Sequence, residues 1–284
     1  MMNEKIALIG AGTMGLDIAT AFATAGASVV VRDINETITQ RAKARLEASL
    51  EKRVAKGKMS GEERDGILGR VSFTTLLEDC KEADLVIEAA IERADIKKQI
   101  FAQLDDICKE STILASNTSS ISITDIASAT KHPERVIGMH FFNPATVMKL
   151  TELIRGVFTS DETYDRTRAL AEAAGKTPVQ VNECPGFVVN RLLIPMINEA
   201  IGLWAEGVAS KEDIDTAMKL GCNHPMGPLA LADMIGLDTC LYIMETLYNE
   251  TCDSKYRPHV KLRQLVRAGT LGRKTGKGIF DYTK

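Results

Sequence analysis

Nowhere in the 284 residues does an apolar run reach the ~20 residues that a membrane-spanning helix needs. No membrane association is therefore expected. An excess of positive charge is missing too. Thirty-five Lys and Arg face 38 Asp and Glu, and the net charge of −3 offers no general attraction for nucleic acid. The six cysteines, Cys80, Cys108, Cys184, Cys222, Cys240 and Cys252, include no C-x-x-C pair. No Cys/His cluster has zinc spacing, so no metal site is expected. Thiols in a reducing cytoplasm are the simplest reading. The first apolar strand begins almost at the N-terminus, which argues against a signal or transit segment and for a cytoplasmic protein. Histidine is scarce as well. Four are present, so few imidazoles can move a proton.

What is there begins with Lys5 to Asp33, KIALIGAGTMGLDIATAFATAGASVVVRD. Ile6 to Ile9 has the length and composition of a buried strand. Gly10, Gly12 and Gly15 follow at G-x-G-x-x-G spacing. Met14 to Ala25 has helical length, Gly26 stops it, and Ser28 to Val31 reads as a second strand ending at Arg32 and Asp33. Strand, glycine turn, helix, strand and acid together make a dinucleotide-binding fingerprint. Gly10 permits a tight turn, Gly12 lets a pyrophosphate approach the backbone, and Gly15 lets the helix pack closely on the sheet. The helix N-terminus offers unpaired N–H groups to the phosphates. Asp33 can accept hydrogen bonds from the ribose hydroxyls of NAD and would repel the 2′-phosphate of NADP, although Arg32 could soften that repulsion. FAD proteins share the fingerprint and remain a competitor.

Further along, the chain alternates strand and helix. Strands are predicted at Val71 to Thr74, Asp84 to Ala90, Thr112 to Ala115, Arg135 to Met139, Lys149 to Ile154 and Pro178 to Val181, with helices between them. This predicts an α/β fold, a Rossmann-like, largely parallel doubly wound sheet. The pattern changes at Cys184-Pro185-Gly186. From Phe187 to Asn249 the periodicity is helical, so residues 1–184 and 185–284 are expected to form a sheet domain and an all-helical domain. A basic segment lies between Arg41 and Lys58, and on a helix Arg45, Ser49, Lys52, Arg53 and Lys56 fall near one face. Such a run is either a solvated surface or a local site for a second polyanion.

A dinucleotide fold names a cofactor and leaves the reaction open. Among the histidines, His132 sits in a loop with no acid at useful spacing, His224 lies in a Pro-Gly loop, and His259 follows Pro258. His140 ends a predicted strand on the ligand side of the sheet. Glu152 lies in the next strand, and a reversal near Asn143 to Val147 could bring the two alongside. Imidazole with a carboxylate partner is the usual form of a positioned general base. From spacing alone, a structural histidine beside a chance acid stands as an equal alternative.

Six segments together carry a specific resemblance: IGAGTMG at 9–15, SNTSS at 116–120, HFFNPATVMKLTELI at 140–154, ECPGFVVNRLLIPMINEA at 183–200, GCNHPMGPLALAD at 221–233 and GRKTGKGIFDY at 272–282. The chain resembles the 3-hydroxyacyl-CoA dehydrogenase family along essentially its whole length, above all its single-function bacterial branch acting on 3-hydroxybutyryl-CoA. The resemblance implies an NAD-dependent oxidoreductase with His140 as catalytic base and Glu152 as its partner. It implies Ser119 and Asn190 as substrate contacts, the latter from the helical domain. It places cofactor binding on Gly10, Gly12, Thr13, Met14, Gly15 and Asp33, and maps Glu92, Lys97, Asn117, Ser119, Asn143 and Lys274 onto the cofactor or the active-site cleft. Ser49, Lys56 and Ser119 fall where the family meets its acyl-CoA substrate, which supplies the second polyanion for the basic segment. A homodimer formed through the helical domain is implied as well. The rival readings are a dehydrogenase of a non-CoA hydroxy acid, such as the gulonate dehydrogenases, and a non-enzymatic crystallin-like relative. The first would not need the basic segment, and the intact His–Glu–Ser–Asn set argues against the second.

Overall fold

The computed structural model describes residues 2–283. The chain divides into two compact units, Met1–Cys184 and Pro185–Lys284. In the first unit, eight strands form a single sheet: β1 (Lys5–Ile9), β2 (Ser28–Arg32), β3 (Val71–Thr74), β4 (Leu85–Glu88), β5 (Ile113–Ser116), β6 (Val136–Phe141), β7 (Leu150–Arg155) and β8 (Thr177–Asn182). Their order is β3-β2-β1-β4-β5-β6-β7-β8. The first six run parallel, as expected for a doubly wound dinucleotide fold, and the order reverses between β1 and β4. β7 then runs antiparallel to β6, and β8 pairs parallel with β7.

Local chemistry explains the elements. β4, β5 and β6 are buried along their whole length, so they read as continuous apolar runs rather than alternating ones. Helix α1 (Thr13–Ala25) ends at Gly26, which adopts φ 110° and donates its N–H to the last turn. Helix α2 (Glu36–Ala55) is capped by Asn35, whose side chain accepts the Ile38 N–H. Helix α3 (Gly61–Arg70) begins with a capping box between Ser60 and Glu63. Helices α4 (Ala94–Ile107), α5 (Ile123–Ala127) and α6 (Asp161–Ala173) complete the unit. Phe22, Leu46 and Leu50 pack with the sheet residues Leu8, Val31, Leu85 and Ile87 in one core.

The second unit is helical: α7 (Val189–Ala205), α8 (Lys211–Gly221), α9 (Pro228–Ile235), α10 (Leu237–Thr251) and α11 (Val260–Arg267). Ile197, Ile201, Leu229, Leu237, Met244, Leu247 and Leu262 form its core. Two buried acids organise the loops. Asp215 accepts the N–H groups of Leu229 and Ala230 at the start of α9. Asp233 accepts those of Ile279 and Phe280, both at 2.8 Å, and the Tyr282 hydroxyl. A Cβ at Gly278 would stand 2.0 Å from an Asp233 carboxylate oxygen, and one at Gly272 2.2 Å from the Asp233 carbonyl oxygen, so these two glycines make room for that anchor.

The six cysteines form no disulfide. Burial pushes the Cys80 and Cys240 thiols up to about 12 and that of Cys108 to about 11, which makes them poor nucleophiles. Among the described residues no helix is long and apolar enough to cross a membrane.

Gly138 lies on β6, two residues before His140. An added Cβ there would stand 2.8 Å from Ile154 Cβ and 2.9 Å from Ile123 Cδ1. Gly138→Ala should therefore overpack the support beneath the histidine. Urea denaturation should show a loss of about 1–3 kcal/mol; a stability equal to that of the parent would show that the strand can shift to accept a methyl group.

Candidate active site

The glycine turn leaves β1 in the way the residue types demand. Gly10 adopts φ 105°, and a Cβ there would meet the Ala89 carbonyl oxygen at 2.6 Å. A Cβ at Gly15 would come within 1.9 Å of the Gly10 carbonyl oxygen, so only a glycine lets α1 lie this close to the turn. Gly12 is different. A Cβ there would meet nothing within 4 Å, so the space above its backbone is open. That opening, at the N-terminus of α1, is a cradle that fits a pyrophosphate. Thr13 is exposed and Met14 half-buried beside it.

Asp33 follows the last residue of β2. One carboxylate oxygen accepts the Ala11 N–H at 2.7 Å and the other accepts the Ile34 N–H at 2.7 Å. Each oxygen keeps a lone pair for a ribose hydroxyl. The same side chain thus ties the glycine turn to β2. Arg32, the basic neighbour, turns its guanidinium to the Thr75 carbonyl.

His140 and Glu152 face each other directly in the antiparallel register of β6 and β7. The His140 Nδ1 lies 2.8 Å from a Glu152 carboxylate oxygen, and both side chains are almost fully buried. The Phe142 ring packs on the imidazole with centroids 4.7 Å apart. The spacing of twelve residues is what one antiparallel reversal produces, and the loop between the strands is the one anticipated near Asn143 to Val147. Asn143 is exposed in that loop, at an Asn143–Pro144 cis peptide. The loop is fastened from below. The Lys176 ammonium donates to the carbonyls of Ala145 and Met148. Asp17 of α1 receives the Ala145 N–H, and burial raises its carboxyl above the usual range against the pull of Arg45.

A second cluster occupies the ends of β4 and β5. Lys97 is 1% exposed, and its ammonium lies 2.8 and 2.9 Å from the two oxygens of Glu88 and 3.3 Å from Glu92. Glu92 also accepts the Thr118 hydroxyl at 2.6 Å and the Ser119 N–H at 2.9 Å. Asn117 accepts the Phe141 N–H, joining the loop after β5 to the end of β6 next to His140. Glu92, Lys97, Asn117 and Ser119 are therefore brought together near His140. Glu88, completely buried, is the partner that motif reasoning did not single out. Its signal was present: an acid closes the otherwise apolar strand LVIE, and a buried lysine must find a counter-charge.

The basic segment departs from the expectation at its end. α2 stops at Ala55, Lys56 caps it, and Gly57 at φ 64° turns the chain back. Lys56 is exposed at this C-cap, its N–H still bonded to the Lys52 carbonyl. The groove beside α1, about 580 Å³, is lined by Arg45, Ser49, Arg53 and Lys58, together with Asp17, Thr146 and Val147. Arg45 also donates to the Gly12 carbonyl at 3.0 Å, so the groove adjoins the glycine turn. His132 departs from the sequence reading too. Its Nδ1 lies 3.3 Å from Asp105, an acid 27 residues away that helix α4 brings close. Arg135 donates to the same carboxylate, so the cluster is a structural tie at the far end of β6.

In the second unit, Asn190 is the second residue of α7 and half-buried. Lys274 pairs with Asp238 at 2.5 Å. Among the described residues no group of His, Cys, Asp and Glu is arranged to hold a metal ion.

Comparison with known proteins bears on this geometry. Residues 5–184 match the family model of the 3-hydroxyacyl-CoA dehydrogenase NAD binding domain, and residues 186–282 match that of its C-terminal domain. A 3-hydroxybutyryl-CoA dehydrogenase of Clostridioides difficile is 55% identical over 280 residues, covering 99% of this chain and 100% of the relative. One from Bradyrhizobium diazoefficiens is 47% identical, covering 98% of this chain and 95% of the relative. The crystal structure of (S)-3-hydroxybutyryl-CoA dehydrogenase from Ralstonia eutropha is 52% identical and covers both chains in full, with a TM-score of 0.96. With both family models spanning nearly the whole chain and full-length relatives at this identity, the protein belongs to the 3-hydroxyacyl-CoA dehydrogenase family.

Proposed function

We propose that the protein interconverts (S)-3-hydroxybutyryl-CoA and acetoacetyl-CoA with NAD(H), using His140 and Glu152 as one acid–base device. The observation that carries this is the buried 2.8 Å contact between His140 Nδ1 and Glu152 across paired strands. With Nδ1 donating to the carboxylate, the neutral ring carries its lone pair on Nε2, and that lone pair can take the proton of the 3-hydroxyl. Glu152 orients the ring and stabilises the imidazolium that forms. NAD, when bound, supplies the acceptor for the hydride leaving C3. Ser119 and Asn190 hold the oxygen that changes between alcohol and ketone, and in the reverse direction His140 returns the proton to it. The open backbone at Gly12 and the free lone pairs of Asp33 support the nicotinamide dinucleotide, and the acid at position 33 favours NAD over NADP. The second unit is the proposed homodimer surface. Its exposed Leu192, Val208 and Leu220 support an interface, and light scattering of the purified protein tests it.

His140→Gln should cut turnover on acetoacetyl-CoA by roughly two to four orders of magnitude. NADH affinity, read by fluorescence titration, should barely change. Glu152→Gln should also be severe, and the double variant should cost little more than His140→Gln alone, because the pair acts as a unit. A folded His140→Gln protein with near-normal turnover would defeat the assignment.

The groove beside α2 is the proposed seat of the coenzyme A nucleotide, where Arg53 and Lys58 line the wall. Arg53→Ala should raise the KM for acetoacetyl-CoA about fivefold, the worth of a ~1 kcal/mol exposed ion contact, and leave that for NADH unchanged. An equal rise for a thioester lacking the nucleotide would assign the groove another role.

A further inference from the structure

We propose that Glu88 is a positioning residue for the reaction: it fixes Lys97, which frees Glu92 to hold the Ser119 loop. This rests on the dehydrogenase reading above for its catalytic consequence, though not for its structural one.

The arrangement is unusual in charge. Two carboxylates, Glu88 and Glu92, share one buried ammonium. Taking such charges out of water is costly, and an apolar pair of similar volume would serve stability at least as well. The contacts show how the cost is used. Glu88 receives Lys97 on both oxygens, the Ser116 hydroxyl at 2.7 Å and the Ala90 N–H at 2.7 Å. It is anchored at the end of β4 and saturated with donors. Lys97 is therefore held mainly by Glu88, with Glu92 at the longer distance of 3.3 Å. That leaves the other Glu92 oxygen to accept the Thr118 hydroxyl and the Ser119 N–H. Without the Glu88 charge, Lys97 has Glu92 as its one remaining anionic partner of the pair. Coulomb attraction to the buried ammonium would then draw Glu92 toward the lysine and off the loop. The loop after β5 would lose the acceptor that fixes Ser119.

The test uses the full-length protein carrying Glu88→Gln or Glu88→Asp. Gln removes the charge at constant size; Asp keeps the charge but withdraws it by one methylene. Hydrogen exchange of the peptide spanning 116–121 reports the loop without any need for activity. Both variants should raise its exchange about tenfold or more while the core strands stay protected. Asp should restore the melting temperature that Gln loses, yet leave the loop loose, which a purely structural charge pair would not do. Turnover on acetoacetyl-CoA should fall about tenfold in either variant. In a Ser119→Ala background the same change should cost less than about twofold, because the loop acts on turnover through the Ser119 hydroxyl that it positions.

Unchanged loop exchange in both variants would overturn the proposal, as would a full additive loss in the Ser119→Ala background. If Glu88→Gln does not fold, the Asp variant alone decides the question by the same readings. An inactive parent protein would sink the dehydrogenase reading and leave the exchange measurement to judge Glu88 by itself.

Discussion

Strand register is the constraint on which the candidate site depends. β6 and β7 pair antiparallel with His140 opposite Glu152, and that register fixes the 2.8 Å contact between them. Side chains on a strand alternate between faces, so a slip of one residue would send the two to opposite sides of the sheet. Several features hold the register. Gly138 leaves room for Ile154 on the neighbouring strand. The loop joining the strands is fastened by Lys176 and Asp17. Asn117 ties the end of β6 to the loop after β5. The histidine is buried because its strand is central, and the carboxylate beside it is what makes that burial tolerable.

The glycine turn shows the same economy. Asp33 is read in such folds as a ribose ligand, and here it also accepts the Ala11 backbone N–H. One carboxylate thereby shapes the turn and faces the crevice where strand order reverses. Arg45 adds a tie from α2 to the Gly12 carbonyl, so the basic groove and the glycine turn share a wall. Substitutions at Asp33 will act on both the loop and the ligand, and their effects on cofactor preference should be read with that in mind.

Much of this was legible in the sequence because it depends on local pattern. The apolar runs announced the strands, the glycine spacing announced the turn, and the change of periodicity after Cys184 marked where the sheet gives way to helices. Short-range spacing also brought His140 and Glu152 together, since one hairpin-like reversal joins them. What escaped was set by tertiary contact. Glu88 falls within the strand expected at Asp84 to Ala90, and nothing local tells that Lys97 folds back onto it. Asp105 reaches His132 across 27 residues of sequence. The turn at Gly57, at positive φ, brings Lys58 to the groove lining, a placement that helical spacing does not give.

The proton on His140 is the most direct thing to observe. Selective 15N labelling of histidine, with resonance assignment through a His140→Gln control, would reveal the tautomer in mildly alkaline solution. The Glu152 contact requires the neutral ring to carry its hydrogen on Nδ1 and to present a lone pair at Nε2. An Nδ1–H signal shifted downfield by its carboxylate partner, and lost in Glu152→Gln, is the expected spectrum. A neutral ring with its hydrogen on Nε2 would leave no lone pair to accept the substrate proton, and would be incompatible with His140 as the base.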